Sequence, residues 1–213
     1  MKHNAFTGNN EEFLNQIRQS ISNAEKIDII VSFLMKSGIK QIIDDLKNTN
    51  AKIRILTSRY LNITQPEALY ILKNELPDVD LRFYSQTDKS FHPKAYIFYT
   101  KEDSEIYVGS SNLSRGALTT SIEWNYHFTK SDNEDDFNYF FDEFENLFSN
   151  HSIAVTDREL REYSKSWVRP KFEKQAFNEN PPKGFEPRGP QVEALYALNK
   201  SLNNINSLSI SRT

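Results

Sequence analysis

The sequence predicts an α/β protein: a mixed β-sheet flanked by helices on both faces, with a helical C-terminal extension. Three observations predict it. Apolar runs of strand length alternate with stretches of helical periodicity from residue 9 to residue 84. That rhythm then gives way to two apolar runs joined by the polar turn Thr100-Lys101-Glu102-Asp103-Ser104, the mark of a hairpin. The composition is globular: 213 residues with 38% hydrophobic and 13% aromatic suffice for one domain with a substantial core plus further segments.

Residues 9–24 form an amphipathic helix, because Phe13, Leu14, Ile17, Ile21 and Ala24 recur at helical spacing. Lys26 to Leu34 is a nearly continuous apolar run, which suits a strand buried on both faces. Ser37-Gly38 breaks it, and Ile39, Ile42, Ile43 and Leu46 mark a second helix. Ala51 to Thr57 is the next strand. Pro66 stands where a helix starts, Leu69, Leu72 and Leu76 follow, and Pro77 stops it before a strand at Val79 to Tyr84. Strand, helix, strand, helix, strand implies right-handed crossovers between parallel strands. The runs 92–99, 105–108 and 122–129 add strands of the hairpin type, which makes the sheet mixed.

Asp132 to Phe148 is an acidic helix whose Phe137, Phe140, Phe141, Phe144 and Phe148 form a stripe expected to pack into the core rather than to stack bases. Thr156 with Glu159 makes a capping box for a helix over 156–168. Arg169 to Pro190 contains Pro170, Pro181, Pro182, Pro187 and Pro190 and reads as a linker, and 191–202 is helical again. The resulting organisation is a domain over 1–150, a helix and Pro-rich linker over 151–184, and a further segment over 185–213.

Net charge is −3, so no overall basic coat announces nucleic acid, although a local basic groove is compatible with it. The sequence has no cysteine, which removes disulfides, thiol catalysis and thiolate zinc sites and fits a cytoplasmic protein. Met1 leads into polar residues with no signal-like segment, and no run is long and apolar enough to span a membrane.

The chemistry lies between Phe91 and Trp124. His92 and Lys94 are two apart, so on a strand they share a face. Ser110 and Asn112 are also two apart and follow Gly109, which permits close approach of backbone to ligand. An imidazole can accept or give a proton near neutral pH, which makes His92 a candidate nucleophile or acid–base group. Lys94 sits in an apolar strand, where its charge is costly without an anionic partner such as phosphate. Ser110 and Asn112 supply neutral donors for phosphate oxygens, and Glu123 can hold one imidazole nitrogen. Taken singly, each has an ordinary reading: a surface histidine, a Gly-Ser-Ser-Asn turn, a strand carboxylate.

Together, His-x-Lys, Gly-Ser-x-Asn and a glutamate eleven residues after the Asn resemble the phospholipase D superfamily, most of all its nuclease branch of small endonucleases and metal-independent restriction enzymes. The resemblance covers residues 20–150. It implies that His92 forms a phosphohistidine, that Lys94, Ser110 and Asn112 hold the phosphate, and that Glu123 orients His92. It also implies that no metal or other cofactor takes part. The family's Asp five residues after the Lys is replaced by Tyr99. This chemistry uses two histidines, and His3, His127 and His151 lack a lysine two residues on, so a homodimer is expected to complete the site. Arg54, Arg59, Arg82, Lys89 and Arg115 are candidates for a basic groove, with Arg59 and Arg115 expected to bind substrate; Arg59-Tyr60 comes after a strand at the end where α/β sheets bind ligands.

A second resemblance lies at Phe185 to Leu195, where Arg188 and Gln191 match the segment that opens superfamily 2 helicase domains of the DEAD/DEAH type. The chain contains no Gly-x-x-x-x-Gly-Lys-Thr, so ATP is expected only in a motor beyond this sequence. The expected function is a DNA endonuclease domain, with RNA left open, at the N-terminal side of a helicase or restriction-like protein. The alternatives are a non-catalytic nucleic-acid clamp of a helicase, a lipid phosphodiesterase or phosphatidyl transferase, and a structural domain.

Overall fold

A computed structural model describes residues 4–7 and 12–170. The chain divides into two units, Met1–Lys171 and Phe172–Thr213, and the described residues all belong to the first. The linker beyond residue 170, the helix at 191–202, Arg188 and Gln191 lie outside the described residues.

Eight strands form one mixed sheet in the order β1-β7-β6-β5-β2-β3-β4-β8. In the chain they run β1 (Ala5–Phe6), β2 (Lys26–Val31), β3 (Lys52–Thr57), β4 (Asp80–Tyr84), β5 (Lys94–Tyr99), β6 (Glu105–Gly109), β7 (Asn125–Thr129) and β8 (Ser152–Ala154). The helices are α1 (Glu12–Asn23), α2 (Lys36–Asn48), α3 (Pro66–Glu75), α4 (Arg115–Thr119), α5 (Glu134–Asn150) and α6 (Asp157–Ser166). β2, β3 and β4 are parallel, joined through α2 and α3, and every other pairing is antiparallel.

The period-two alternation of the strands sorts their side chains into two cores. Ile27, Ile29 and Val31 of β2 with Tyr96 and Phe98 of β5 face α1, α2, α3, α4 and α6. Ile30, Leu56, Ala95, Ile97 and Ile106 face Phe137, Phe144 and Phe148 of α5, so the phenylalanine stripe is core packing. The cap on α5 is the Asn133 side chain, which accepts from Asp136 N, and three acidic residues in the first turn suit the positive end of the helix dipole. The Thr156 cap of α6 accepts from Glu159 N.

The strand expected over 122–129 joins the ladder only from Asn125. β1, β8 and α4 have no counterpart in the sequence pattern; all are short. β8 pairs with β4, and Leu160 and Tyr163 of α6 enter the larger core, so chain beyond residue 150 packs on the sheet.

On the α5 face the sheet carries a buried charge cluster. Asp28 is fully buried and accepts from Arg54 Nε at 2.7 Å and Nη2 at 2.6 Å, while Arg54 Nη1 donates to Glu145 at 3.0 Å. Burial works against the Arg54 guanidinium, but these hydrogen bonds outweigh it and hold its pKa above the ordinary value. The guanidinium lies 4.9 Å from the Phe144 ring centre and 4.8 Å from that of Phe148. Arg82 is likewise committed, to Asp80 at 2.9 Å and to the Phe148 carbonyl at 3.3 Å. Both arginines were groove candidates; both are bound into the fold because their partners arrive through the tertiary structure.

Truncating Asp28 removes the fully buried partner of Arg54 and leaves the guanidinium only the partly exposed Glu145 carboxylate. Asp28→Ala is expected to destabilise the protein by about 3–5 kcal/mol, read as a lower urea midpoint, and Asp28→Ala with Arg54→Met is expected to recover part of the loss.

Candidate active site

All the motif residues come to one end of the sheet. The parallel strands β2, β3 and β4 finish there, β5 runs antiparallel to β2 and starts there, β6 finishes there and β7 starts there. The anchor is the chain just past β2. Ser32 N donates to the Pro93 carbonyl at 3.0 Å and Ser32 Oγ to the same oxygen at 3.1 Å, which fixes the His92-Pro93-Lys94 segment. Phe33 N donates to Asn112 Oδ1 at 2.9 Å, Leu34 bridges Leu113, and Met35 N donates to the Leu113 carbonyl at 3.0 Å. The two halves of the motif therefore dock on Ser32–Met35, a tetrapeptide that in the sequence pattern is merely the tail of a strand.

Two glycines allow this approach. A Cβ on Gly38 would lie 2.2 Å from the Leu113 carbonyl oxygen, and one on Gly109 would lie 2.1 Å from that of Trp124. Behind the loop, the unspecified position of the Gly-Ser-x-Asn motif is the fully buried Ser111. Its Oγ accepts from Asn125 Nδ2 at 2.8 Å and its carbonyl from the Tyr96 hydroxyl at 3.1 Å.

His92 is exposed, with its ring edge-on to Phe33 at 5.7 Å. Lys94 is 7% exposed and points to the same face as Tyr96 and Phe98. Its Nζ donates to the His92 carbonyl at 2.9 Å and lies 2.5 Å from His92 Nδ1. No carboxylate pairs with it among the described residues. Burial pushes its pKa down, and the charge of Glu123 pulls it back up.

The sequence leads one to expect Glu123 on the imidazole of His92; instead its carboxylate accepts from Ser110 Oγ. Trp124 N donates to the same hydroxyl at 2.9 Å, so Ser110 is occupied by its neighbours. Asn112 is oriented the other way: Phe33 N takes its Oδ1, which leaves the Nδ2 donors without a partner among the described residues. Arg115 is exposed at the first turn of α4, just past the loop. Arg59 lies beyond β3 at the same end, 3.7 Å from Glu159 and over the Phe83 ring at 5.2 Å. Tyr99 ends β5, seven residues from His92 and roughly 20 Å away along an extended chain, with Lys26 Nζ 4.4 Å above its ring. The departure from the family pattern thus lies outside the site.

Of the other histidines, His127 is buried against Glu105 at 2.7 Å and His151 Nδ1 meets Gln86 at 2.7 Å; His3 lies outside the described residues. His92 is the one histidine at the site among the described residues. No cluster of three or more His, Asp or Glu side chains suited to a metal occurs among them either, and no helix among them is long and apolar enough to cross a membrane.

An exposed imidazole, a desolvated ammonium and a free amide donor thus meet at one end of a mixed sheet, and these are the groups that phosphodiester chemistry calls for. The family model for the cardiolipin synthase phospholipase D-like domain matches residues 17–151, and the chain belongs to that phospholipase D-like family, whose enzymes hydrolyse or transfer phosphodiester bonds. Among solved structures, NucT from Helicobacter pylori superposes with a TM-score of 0.53 at 17% identity, covering 67% of this chain and 91% of that one. The phospholipase D family member Nuc from Salmonella typhimurium gives 0.51 at 17% identity, over 70% and 96%. Phosphatidylserine synthase from Haemophilus influenzae gives 0.52 at 14% identity, over 76% and 42%. These likenesses concern the fold. A search of curated protein sequences gave no significant match.

The unpaired ammonium of Lys94 is a cost to the fold and a gain to the site. Lys94→Met keeps the buried stem and removes the charge, so thermal melting is expected to hold or rise while phosphodiester turnover falls at least about 100-fold.

Proposed function

We propose that this domain is a metal-independent nuclease that cuts DNA through a covalent phosphohistidine at His92. The observation that carries the reading is the buried, carboxylate-free Lys94 ammonium held against the exposed His92 ring. A scissile phosphate would supply the missing anion. An imidazole nitrogen of His92 attacks phosphorus, the P–O bond to the leaving group breaks, and its electron pair stays on the leaving oxygen, which takes a proton. Water then attacks the phosphohistidine, the N–P bond breaks, and the imidazole is restored. Lys94 and the Asn112 Nδ2 donors hold the non-bridging oxygens. Ser110 and Glu123 act on Lys94 and the loop rather than on the imidazole. No metal or cofactor enters this scheme, and DNA is favoured over RNA only by the nuclease-branch resemblance and the helicase-like Arg188 and Gln191.

The proton for the leaving oxygen needs a second acid, and one copy offers one histidine at the site among the described residues. In this reading a homodimer brings a second His92 across a two-fold axis, as general acid in the first step and general base in the second. The domain would then work in the cytoplasm beside a superfamily 2 motor, which alone would use ATP.

Supercoiled plasmid incubated in EDTA is expected to be nicked by the wild type and at least about 10³-fold more slowly by His92→Ala; a wild type that binds DNA and never cuts it would make this a clamp. Sedimentation at assay concentration is expected to show a dimer, and a monomer with full activity would exclude the shared site.

A further inference from the structure

A cavity of about 330 Å³ opens beside the site, lined in part by Arg59, Tyr60, Tyr84, Asp88, Lys89 and Phe91. It adjoins His92 through Phe91, whose ring is stacked on Tyr84 at 4.5 Å. Ser58, also in its wall, is hydrogen-bonded to the Ser32 carbonyl at 3.0 Å, and Ser32 holds Pro93. The cavity and the reactive histidine therefore share one rigid support.

The wall at Tyr60 is built under strain. Leu61 has φ 56° and Asn62 φ 54°, two successive left-handed residues with no glycine between them. Such a turn persists only where its surroundings hold it, and strain of this kind gathers at ligand clamps. Here α6 and the residue after it do the holding: Trp167 Nε1 donates to the Asn62 carbonyl at 2.7 Å, the Tyr163 hydroxyl to the Thr64 carbonyl at 2.6 Å, and Glu159 lies 3.7 Å from Arg59. The outcome is that Tyr60 stays 41% exposed at the mouth of the cavity, with the cationic side chains of Arg59, which also meets Glu159, and Lys89 beside it and the carboxylate of Asp88 in the same wall.

We infer that this cavity is a nucleotide subsite for the unpaired nucleotide next to the scissile phosphate, with Tyr60 stacking on its base and Arg59 and Lys89 holding its phosphate. The inference rests on the nuclease reading and deepens it. An aromatic face with flanking cations takes any base and favours a single strand, because a paired base is not free to stack. Trp167 is a positioning residue, setting the turn that presents Tyr60.

The test compares a single-stranded oligothymidylate with an abasic oligomer of the same length, which keeps the phosphates and lacks the bases. Tyr60→Ala is expected to raise KM for the oligothymidylate about 10-fold, with kcat on it and KM for the abasic oligomer unchanged. Tyr60→Phe is expected to match the wild type, and Trp167→Phe to move KM for the oligothymidylate alone. An unchanged KM in Tyr60→Ala, or equal losses on both substrates, overturns the subsite. If the wild type cleaves neither substrate the nuclease reading fails, and anisotropy of labelled oligothymidylate judges the subsite alone: weaker binding by Tyr60→Ala supports it, equal binding overturns it.

Discussion

A lysine ammonium buried without a carboxylate is the constraint on which this site depends. Lys94 lies in a strand packed on both faces, and its donors reach the His92 carbonyl and the edge of the imidazole. Neither is an anion, and burial pushes the pKa of Lys94 down. Glu123, whose carboxylate accepts from Ser110 Oγ, offsets part of that shift through its charge. Under the proposed nuclease function, this arrangement would meet an incoming anion with the desolvation already borne by the fold rather than by the ligand. Around it, Pro93 must be pinned by Ser32, Asn112 must be turned by Phe33 N, and Gly38 and Gly109 must lack side chains so that the loops can close on β2.

The sheet treats two of its buried charges in opposite ways. On the α5 face, Asp28, Arg54 and Glu145 neutralise one another between the sheet and the phenylalanine stripe, and every guanidinium nitrogen of Arg54 has a partner. That cluster is architecture. On the other face, Lys94 is left unmatched at the end of the sheet where loops give access. The same residue class is thus structural or reactive according to whether the tertiary fold delivers a carboxylate to it, which is why perturbed, unpaired groups mark functional sites.

The same distinction separates what is legible in the sequence from what is not. The parallel strands and their helices announce themselves because Ile27 to Val31 and Ile53 to Leu56 are long apolar runs punctuated by Gly38, Pro66 and Pro77. The motif spacing singles out His92, Lys94 and Asn112 as a set, but only Lys94 lies in a strand: β5 begins there and β6 ends at Gly109, so period-two alternation reaches neither His92 nor Asn112. Two-residue β1 and three-residue β8 carry no periodicity to read; their existence is decided by what they pair with. Arg54 and Arg82 look like surface bases in the sequence because nothing there shows which groups the fold will bring to them. Glu123 looks like a partner for the imidazole because spacing gives no direction to a side chain beyond the end of a ladder. The Leu61–Asn62 turn is invisible for a different reason: left-handed backbone usually announces itself as glycine, and here it is imposed from outside by Tyr163 and Trp167.

The central claim is that His92 itself becomes covalently attached to the substrate's phosphorus. Rapid acid-free denaturing quench of the wild type with a labelled oligonucleotide in EDTA, followed by peptide mass spectrometry, tests it most directly. A phosphoramidate adduct is expected on the peptide bearing His92, forming and decaying within the turnover time and absent from His92→Ala. Sustained turnover with no adduct, or an adduct on another residue, would contradict it.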